Sequence, residues 1–270
     1  GPRAVRHVSA GLRRVHLDFN INPWKQKKIF DLGDVALPHA NNNERCIEDI
    51  TNFYQRIAKE KKPVVSIGGD HSITGGILQG LASNNLELTN GKKISFLHID
   101  AHTDTFSQLD HFMGAKKSAA HWGAYLVEQG IIDPKTSMQI GMRGNPRTLD
   151  WLQPSYDLGY NVVTMDEFKK RGIKDVIKET LDKIGDNPVY ITFDLDSLDA
   201  TVAPAVSNIE PGFTGFTIDE AKALIQSVKN KNVIGGDVVC LMPTKDQKNN
   251  ITSMVAASIM FEIISVIACN

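Results

Sequence analysis

Short, continuously apolar runs alternate along this chain with longer stretches whose apolar residues recur every three or four positions. The runs Val64 to Ile67, Ile94 to His98, Met138 to Gly141, Asn161 to Thr164, Val189 to Phe193 and Val233 to Val239 read as strands. Most lack polar alternation, which predicts parallel strands covered on both faces. Between them Ile47, Ile50, Phe53 and Ile57 fall at helical spacing, as do Ala221, Leu224, Ile225 and Val228. The Ile251 to Ile267 stretch reads as a long, strongly apolar helix, and Thr217 to Glu220 (Thr-Ile-Asp-Glu) as a capping box opening another. Strands alternating with helices predict one parallel sheet with right-handed crossovers. No repeat, low-complexity tract or linker divides the chain, so residues 1–270 read as a single α/β domain.

In open parallel sheets, ligands bind outside the carboxyl ends of the strands. Strand 64–67 runs into Gly68-Gly69-Asp70-His71-Ser72, strand 94–98 into Asp100-Ala101-His102-Thr103-Asp104, and strand 189–193 into Asp194-Leu195-Asp196-Ser197-Leu198-Asp199. Three strand ends thus bring eight Asp or His side chains to one sheet edge. Carboxylates so crowded cannot all stay ionised unless cations balance them. Mixed carboxylate and imidazole ligands suit Mn, Zn, Fe, Co or Ni better than Ca or Mg, and two such ions about 3.5–4 Å apart would share a water. Each motif has a plainer reading by itself. Asp-x-Asp after a strand is usually a turn or cap, and GGDHS could be a Gly-rich turn capped by Ser72. Asp-x-His-x-Asp is more specific, because alternate residues of an extended segment point the same way. Together they predict a two-metal site of His71, Asp100, His102, Asp104, Asp194 and Asp196. His98 reads as structural, and His7, His16 and His39 as ordinary surface or core histidines.

Composition narrows the picture. An apolar share of 41% fits a globular protein with a real core, and a formal net charge of -1 gives no field favouring nucleic acid or a membrane surface. No apolar run reaches the roughly 20 residues of a membrane helix. Cys46, Cys240 and Cys269 are far apart and form no CxxC pair, which fits a reducing compartment, the cytoplasm. The opening Gly1-Pro2-Arg3-Ala4-Val5-Arg6 reads like the middle of a domain. A mitochondrial location follows if a targeting segment once preceded it.

At these residues the sequence closely resembles the ureohydrolase family of arginases, agmatinases and guanidino-acid hydrolases. Gly1 to Arg6 resembles its GPxAIR segment and Asp31-Leu32-Gly33-Asp34-Val35 its D-x-G-D-v turn. GGDHS, DAHTD, the QIGMRG run (Gln139 to Gly144) and FDLDSLD (Phe193 to Asp199) follow in family order. The resemblance implies an arginase-like three-layer α/β fold, with a central mostly parallel sheet and helices on both faces. A strand usually precedes GPxAIR, so an N-terminal strand segment is expected to be missing here. Two Mn2+ ions per chain are implied, with Ni2+ or Co2+ accommodated by the same ligands. His71, Asp100, Asp104 and Asp194 would hold one ion, and His102, Asp100, Asp194 and Asp196 the other. The implied reaction is hydrolysis of a linear C–N bond in a guanidino or amidine compound, releasing urea and an amine through attack by hydroxide held between the metals. Asp104 would orient that hydroxide and pass its proton on, with a nearby His exchanging protons with solvent. The family implies a homotrimer or homohexamer.

Four departures bear on the substrate. The family's D-V-V-E segment reads Asp237-Val238-Val239-Cys240, losing a carboxylate that pairs with the substrate's cationic nitrogen. Cys240 reads better as a small buried residue than as a nucleophile. The LDP-x-x-APG-x-x-x-P-x-PGG loop, here Leu198 to Phe213, loses two prolines and two glycines and offers Asn208 and Glu210, the latter a partial substitute anion. The proton-exchanging His falls by counting at Ala119, so His121 takes the role or it is absent. The Thr105 to Lys117 loop carries Gln108, Asp110, His111, Lys116 and Lys117, whose lysines read either as carboxylate partners or as solvated charge. An agmatine-like compound, guanidino acid or guanidine is therefore preferred to arginine. The competing readings are a catalytically weakened relative with a structural or regulatory role, arginase proper, and a metal-dependent deacetylase.

Overall fold

The six apolar runs form six strands of one sheet: β1 (Val64–Ile67), β2 (Ser95–Ile99), β3 (Met138–Met142), β4 (Asn161–Thr164), β5 (Val189–Asp194) and β6 (Val233–Val239). This computed structural model describes residues 1–83, 87–107, 109 and 114–270. The strands lie in the order β1-β6-β5-β2-β3-β4, and every pairing is parallel. β2 begins one residue later than its apolar run, because Ile94 pairs only through an isolated bridge to Ile132.

Both faces of the sheet are covered, which is why the strands carry no polar alternation. Leu97, Ile99, Ile191 and Phe193 pack into one core with the helices Ile173–Ile184, Ile218–Ser227 and Ile251–Cys269. Phe96, Tyr190 and Ile234 point the other way, into a core with Asn43–Ala58, Ser72–Leu81 and Trp122–Glu128. Each large side chain buried this way contributes roughly 1.5–3 kcal/mol. The capping box at Thr217 is present in both directions: Glu220 N–H donates to the Thr217 hydroxyl, and Thr217 N–H to the Glu220 carboxylate.

The final helix, Ile251–Cys269, corrects the expectation about membrane-length runs. It has the length and mean hydropathy of a membrane span. Here it is a core helix: Ala256, Ile259, Ile263 and Val266 are fully buried against the sheet. Its buried Glu262 accepts from His16 Nε2 at 2.8 Å, which ties the N-terminal segment to it. The Gly1 to Arg6 segment enters the helix Pro2–Ser9, and Arg6 pairs with Asp31 (2.9 Å) and Asp34 (2.8 Å). Two motifs 25 residues apart are thereby clasped together.

Candidate metal centre

Strand register places the chemistry. Ile99 pairs with Phe193, Asp194 with Val239, and Ile67 with Val238. The carboxyl ends of four neighbouring strands, β1, β6, β5 and β2, therefore open onto one crevice. His71 follows β1, Asp100, His102 and Asp104 follow β2, and Asp194 and Asp196 end and follow β5. The Asp-x-His-x-Asp segment is not extended, contrary to the alternation argument. Asp100 Oδ1 accepts the His102 N–H at 2.7 Å, and Asp104 takes a left-handed backbone with φ +52°. A turn, not a pleat, aims these side chains. The same turn recurs after β5, where Asp194 Oδ1 accepts the Asp196 N–H at 2.9 Å.

All six predicted residues meet. His71 Nδ1 lies 2.9 Å from Asp100 Oδ2, 3.0 Å from Asp104 Oδ2 and 3.4 Å from Asp194 Oδ2. His102 Nδ1 lies 3.2 Å from Asp196 Oδ2 and 3.5 Å from Asp100 Oδ1. Asp100 thus faces both histidines. Five of the six are buried, and the His102 side chain is 32% exposed. The other two Asp of the eight turn away. Asp70 accepts from Ser72 N–H, and Asp199 from Thr201 and Gly215 N–H, each closing its own loop.

The donor set fits cations. Thr192 Oγ1 donates to Asp237 Oδ1 at 2.6 Å, so it can only accept from His71 Nε2, 2.7 Å away. That fixes the proton on Nε2 and leaves the Nδ1 lone pair pointing at three carboxylates. Nδ1 is buried and has no hydrogen-bond partner among the described residues. A lone pair and three anionic oxygens repel unless a cation sits among them. Without cations the cluster can only redistribute protons. Burial, then Asp194 and Asp100, push Asp196 well above the usual carboxylate range, and burial and Asp100 raise Asp104. Burial opposes ionisation of Asp100 too, but His102, His71 and His98 hold it well below that range. Burial would lower His71 and His102, yet their carboxylate neighbours raise both well above an ordinary histidine.

Several residues around this cluster escaped the sequence reading. His98, expected to be structural, donates from Nε2 to Asp100 Oδ2 at 2.8 Å, and its Nδ1 accepts from Gln139 Nε2 at 3.1 Å. The signal was its i, i+2 spacing to Asp100 on a strand continuing into the turn. Trp122 Nε1–H donates to Asp104 Oδ2 at 2.9 Å, and its ring packs 4.7 Å from that of His71. Asp237 accepts from Thr192, Thr74 and Tyr190, and burial raises its pKa. A carboxylate inside the apolar β6 run was the visible sign of it. Arg143 donates to the carbonyls of Asp196 (2.7 Å), Ser197 (3.0 Å) and Leu198 (3.0 Å), bracing the loop that carries Asp196.

The departing positions sort as follows. Cys240 is buried in a left-handed conformation (φ +68°), its thiol against Asp194 and Ser207. Burial and the Asp194 charge push that thiol well up, so it is a small neutral side chain beside the cluster. Glu210 reaches back to His102, with Oε1 3.3 Å from Nε2. His121 is buried at the start of Trp122–Glu128, with Nδ1 2.6 Å from Ser118 Oγ, while Ala119 is half-buried. Lys117 lies over the Tyr125 ring in a groove with Glu48 and Gln55, and Lys116 is exposed. Gln108, Asp110 and His111 lie outside the described residues.

The sequence model of the arginase family matches residues 1–265. The chain belongs to the arginase family. Among curated relatives, the human mitochondrial guanidino acid hydrolase is 32% identical over 264 residues, covering 98% of this chain and 71% of its own length. The mitochondrial agmatinase of Gallus gallus is 31% identical over 267 residues, covering 99% and 75%. Among solved structures, proclavaminate amidino hydrolase from Streptomyces clavuligerus superposes with a TM-score of 0.89 at 28% identity, covering 100% of this chain and 85% of that one. Within the arginase family the chain sides with the agmatinase-like branch, and its His/Asp cluster fits the two-cation centre the sequence called for.

Proposed function

We propose that this protein hydrolyses a guanidino compound to urea and an amine, using two divalent cations held by His71, Asp100, His102, Asp104, Asp194 and Asp196. The observation that carries this is the pair of imidazoles presenting Nδ1 to four convergent Asp carboxylates. The relatives' names, guanidino acid hydrolase and agmatinase, support the substrate class. His71, Asp100, Asp104 and Asp194 would hold one ion and His102, Asp100, Asp194 and Asp196 the other. Mn2+ is the proposed ion, with Ni2+ and Co2+ alternatives for the same donors.

When bound, the cations would supply Lewis acidity and bring the pKa of a bound water near neutrality. The rest falls to the chain's own groups. Asp104 accepts the attacking water's proton and delivers it to the departing amine. The Trp122 N–H holds one of its oxygens in place, and its left-handed backbone aims the carboxylate inward. The buried walls of His71, His98 and Trp122 exclude bulk water from that side. His121, adjoining Trp122, is our candidate for returning the proton to solvent. Support for an agmatine-like, guanidino-acid or guanidine substrate over arginine is Cys240, an uncharged thiol where a carboxylate would otherwise meet the substrate. The cytoplasm is the proposed setting, with the mitochondrion, named for two relatives, the alternative. A trimer or hexamer is part of the same reading; exposed Leu17, Phe30 and Leu32 support it.

The test is urea release from agmatine, guanidino acids, guanidine and arginine, after stripping and reloading with Mn2+, Ni2+ or Co2+. Metal-dependent release with arginine among the poorest substrates is expected. Arginine as the best substrate would overturn the reading of Cys240, and no release from any compound would overturn the function.

A further inference from the structure

We propose that Glu210 is a positioning residue for His102, fixing the imidazole so that Nδ1 faces the second cation; this rests on the two-cation reading above. His102 has two nitrogens with opposite duties. Nδ1 faces Asp196 and Asp100 at 3.2 and 3.5 Å, where a lone pair is needed for a cation. Nε2 faces Glu210 Oε1 at 3.3 Å. An ionised carboxylate can only accept, so this contact places the proton on Nε2 and frees Nδ1. His71 reaches the same state through Thr192 and Asp237. Among the described residues His102 Nε2 has no threonine or buried Asp behind it; the side chain is 32% exposed at the crevice mouth, and a carboxylate from a different loop does the work.

The seat of Glu210 is built for it. Gly144 has φ +101°, and a Cβ added there would lie 2.6 Å from Glu210 Oε2. A side chain at 144 would push the Glu210 carboxylate off this turn, and the positive φ itself favours glycine there. The Asn145 N–H donates to the same carboxylate, and the Arg143 guanidinium stands close by. Arg143 also grips the Asp196 to Leu198 carbonyls. One turn, 143–145, thus braces Asp196 and seats the residue that orients His102, so both sides of the second cation's cage depend on it.

The experiment is calorimetric titration of the chelator-stripped full chain with Mn2+, comparing wild type, Glu210→Ala and Glu210→Gln. Wild type should show two binding events per chain, and their absence would sink the two-cation reading itself. Glu210→Ala should keep one event and weaken the other about 10- to 100-fold. Glu210→Gln keeps a carbonyl oxygen that accepts from Nε2–H, so it should bind close to wild type. Two undisturbed events in Glu210→Ala would overturn the proposal. A Glu210→Gln variant as weak as Glu210→Ala would overturn it too, because charge rather than hydrogen bonding would then be responsible. Melting of each variant in chelator checks folding; should Glu210→Ala fail to fold, Glu210→Leu, which fills the space but cannot accept from Nε2–H, takes its place, with the same weakening of one event expected and two undisturbed events overturning the proposal.

Discussion

At the scale of single residues, each inner side chain of the cluster owes its aim to an outer one. The chain Asp237–Thr192–His71 makes the sharpest case, since one hydroxyl both donates and accepts. Thr192→Val keeps the shape and removes both bonds. Affinity for the cation at His71 should fall about 10- to 100-fold. The buried N–H and carboxylate left short of partners should cost about 1–3 kcal/mol in a denaturant melt. Unchanged metal binding in that variant would show that the hydroxyl orients nothing. Trp122→Phe is a gentler change, keeping an aromatic ring beside His71 while removing the N–H to Asp104, at the cost of a small cavity. It should lower kcat on the order of 10- to 100-fold with little change in KM, because Asp104 loses aim and not contact with substrate; a pure KM effect would count against a proton-handling Asp104. None of the six cluster residues needed a structure to be nominated, because strand ends with Asp and His are visible in a linear sequence. Thr192 and Trp122 needed one, and Glu210, nominated as an anion for the substrate, needed one to show that it faces His102: a threonine in a strand, a tryptophan in a helix and a glutamate in a loop carry no local mark of what they face across the fold.

The six strands begin and end within a residue of the runs that predict them, since covering both faces of a parallel sheet writes itself into mostly apolar runs, whereas periodicity marks only three of the helices and ends the last of them two residues early. Caps were less legible. The long helix Ile251–Cys269 has Asn250 in a left-handed conformation at its N-cap and no capping bond from that side chain. The cap comes from Asp246, which accepts from Thr252 N–H (3.1 Å), Ser253 N–H (2.8 Å) and Ser253 Oγ (2.6 Å). Periodicity cannot show a cap that reaches in from outside the helix. Burial opposes ionisation of Asp246, but the Ser253 hydroxyl and the backbone donors outweigh it and hold its pKa below the ordinary value. A depressed folded pKa adds stability above the unfolded pKa, about 3.9, and that stability is lost as pH falls through the folded value. Asp246→Ala should therefore cost about 1 kcal/mol at pH 7. The gap from wild type should narrow in melts taken progressively below about pH 4; a gap independent of pH would mean the side chain acts by packing alone.

For the whole molecule, the four carboxylates and two imidazoles at one sheet edge make stability depend on what is bound there. A cation that binds only the folded chain stabilises it by about 2.7 kcal/mol at 100 times its Kd. In a protein of this size about 1 kcal/mol moves Tm by roughly 2–4 °C, so one filled site should raise Tm by about 5–10 °C. Asp100 faces both histidines, so the second ion meets a carboxylate whose charge the first already shares, and the two increments should not add as independent sites would. The pH dependence follows from the metal-free protein, in which His71 and His102 are raised well above an ordinary histidine. A raised folded pKa means that protonation stabilises the stripped fold below the unfolded value, about 6.5, and that this support disappears as pH rises through the folded one. Cations need those nitrogens unprotonated, so metal support grows over the same range. The Tm difference between Mn2+-loaded and chelator-stripped protein should accordingly widen steadily from about pH 6 upward. A constant difference across that range would mean the ions bind away from the two histidines, and no difference at any pH would mean that the cluster holds no cation.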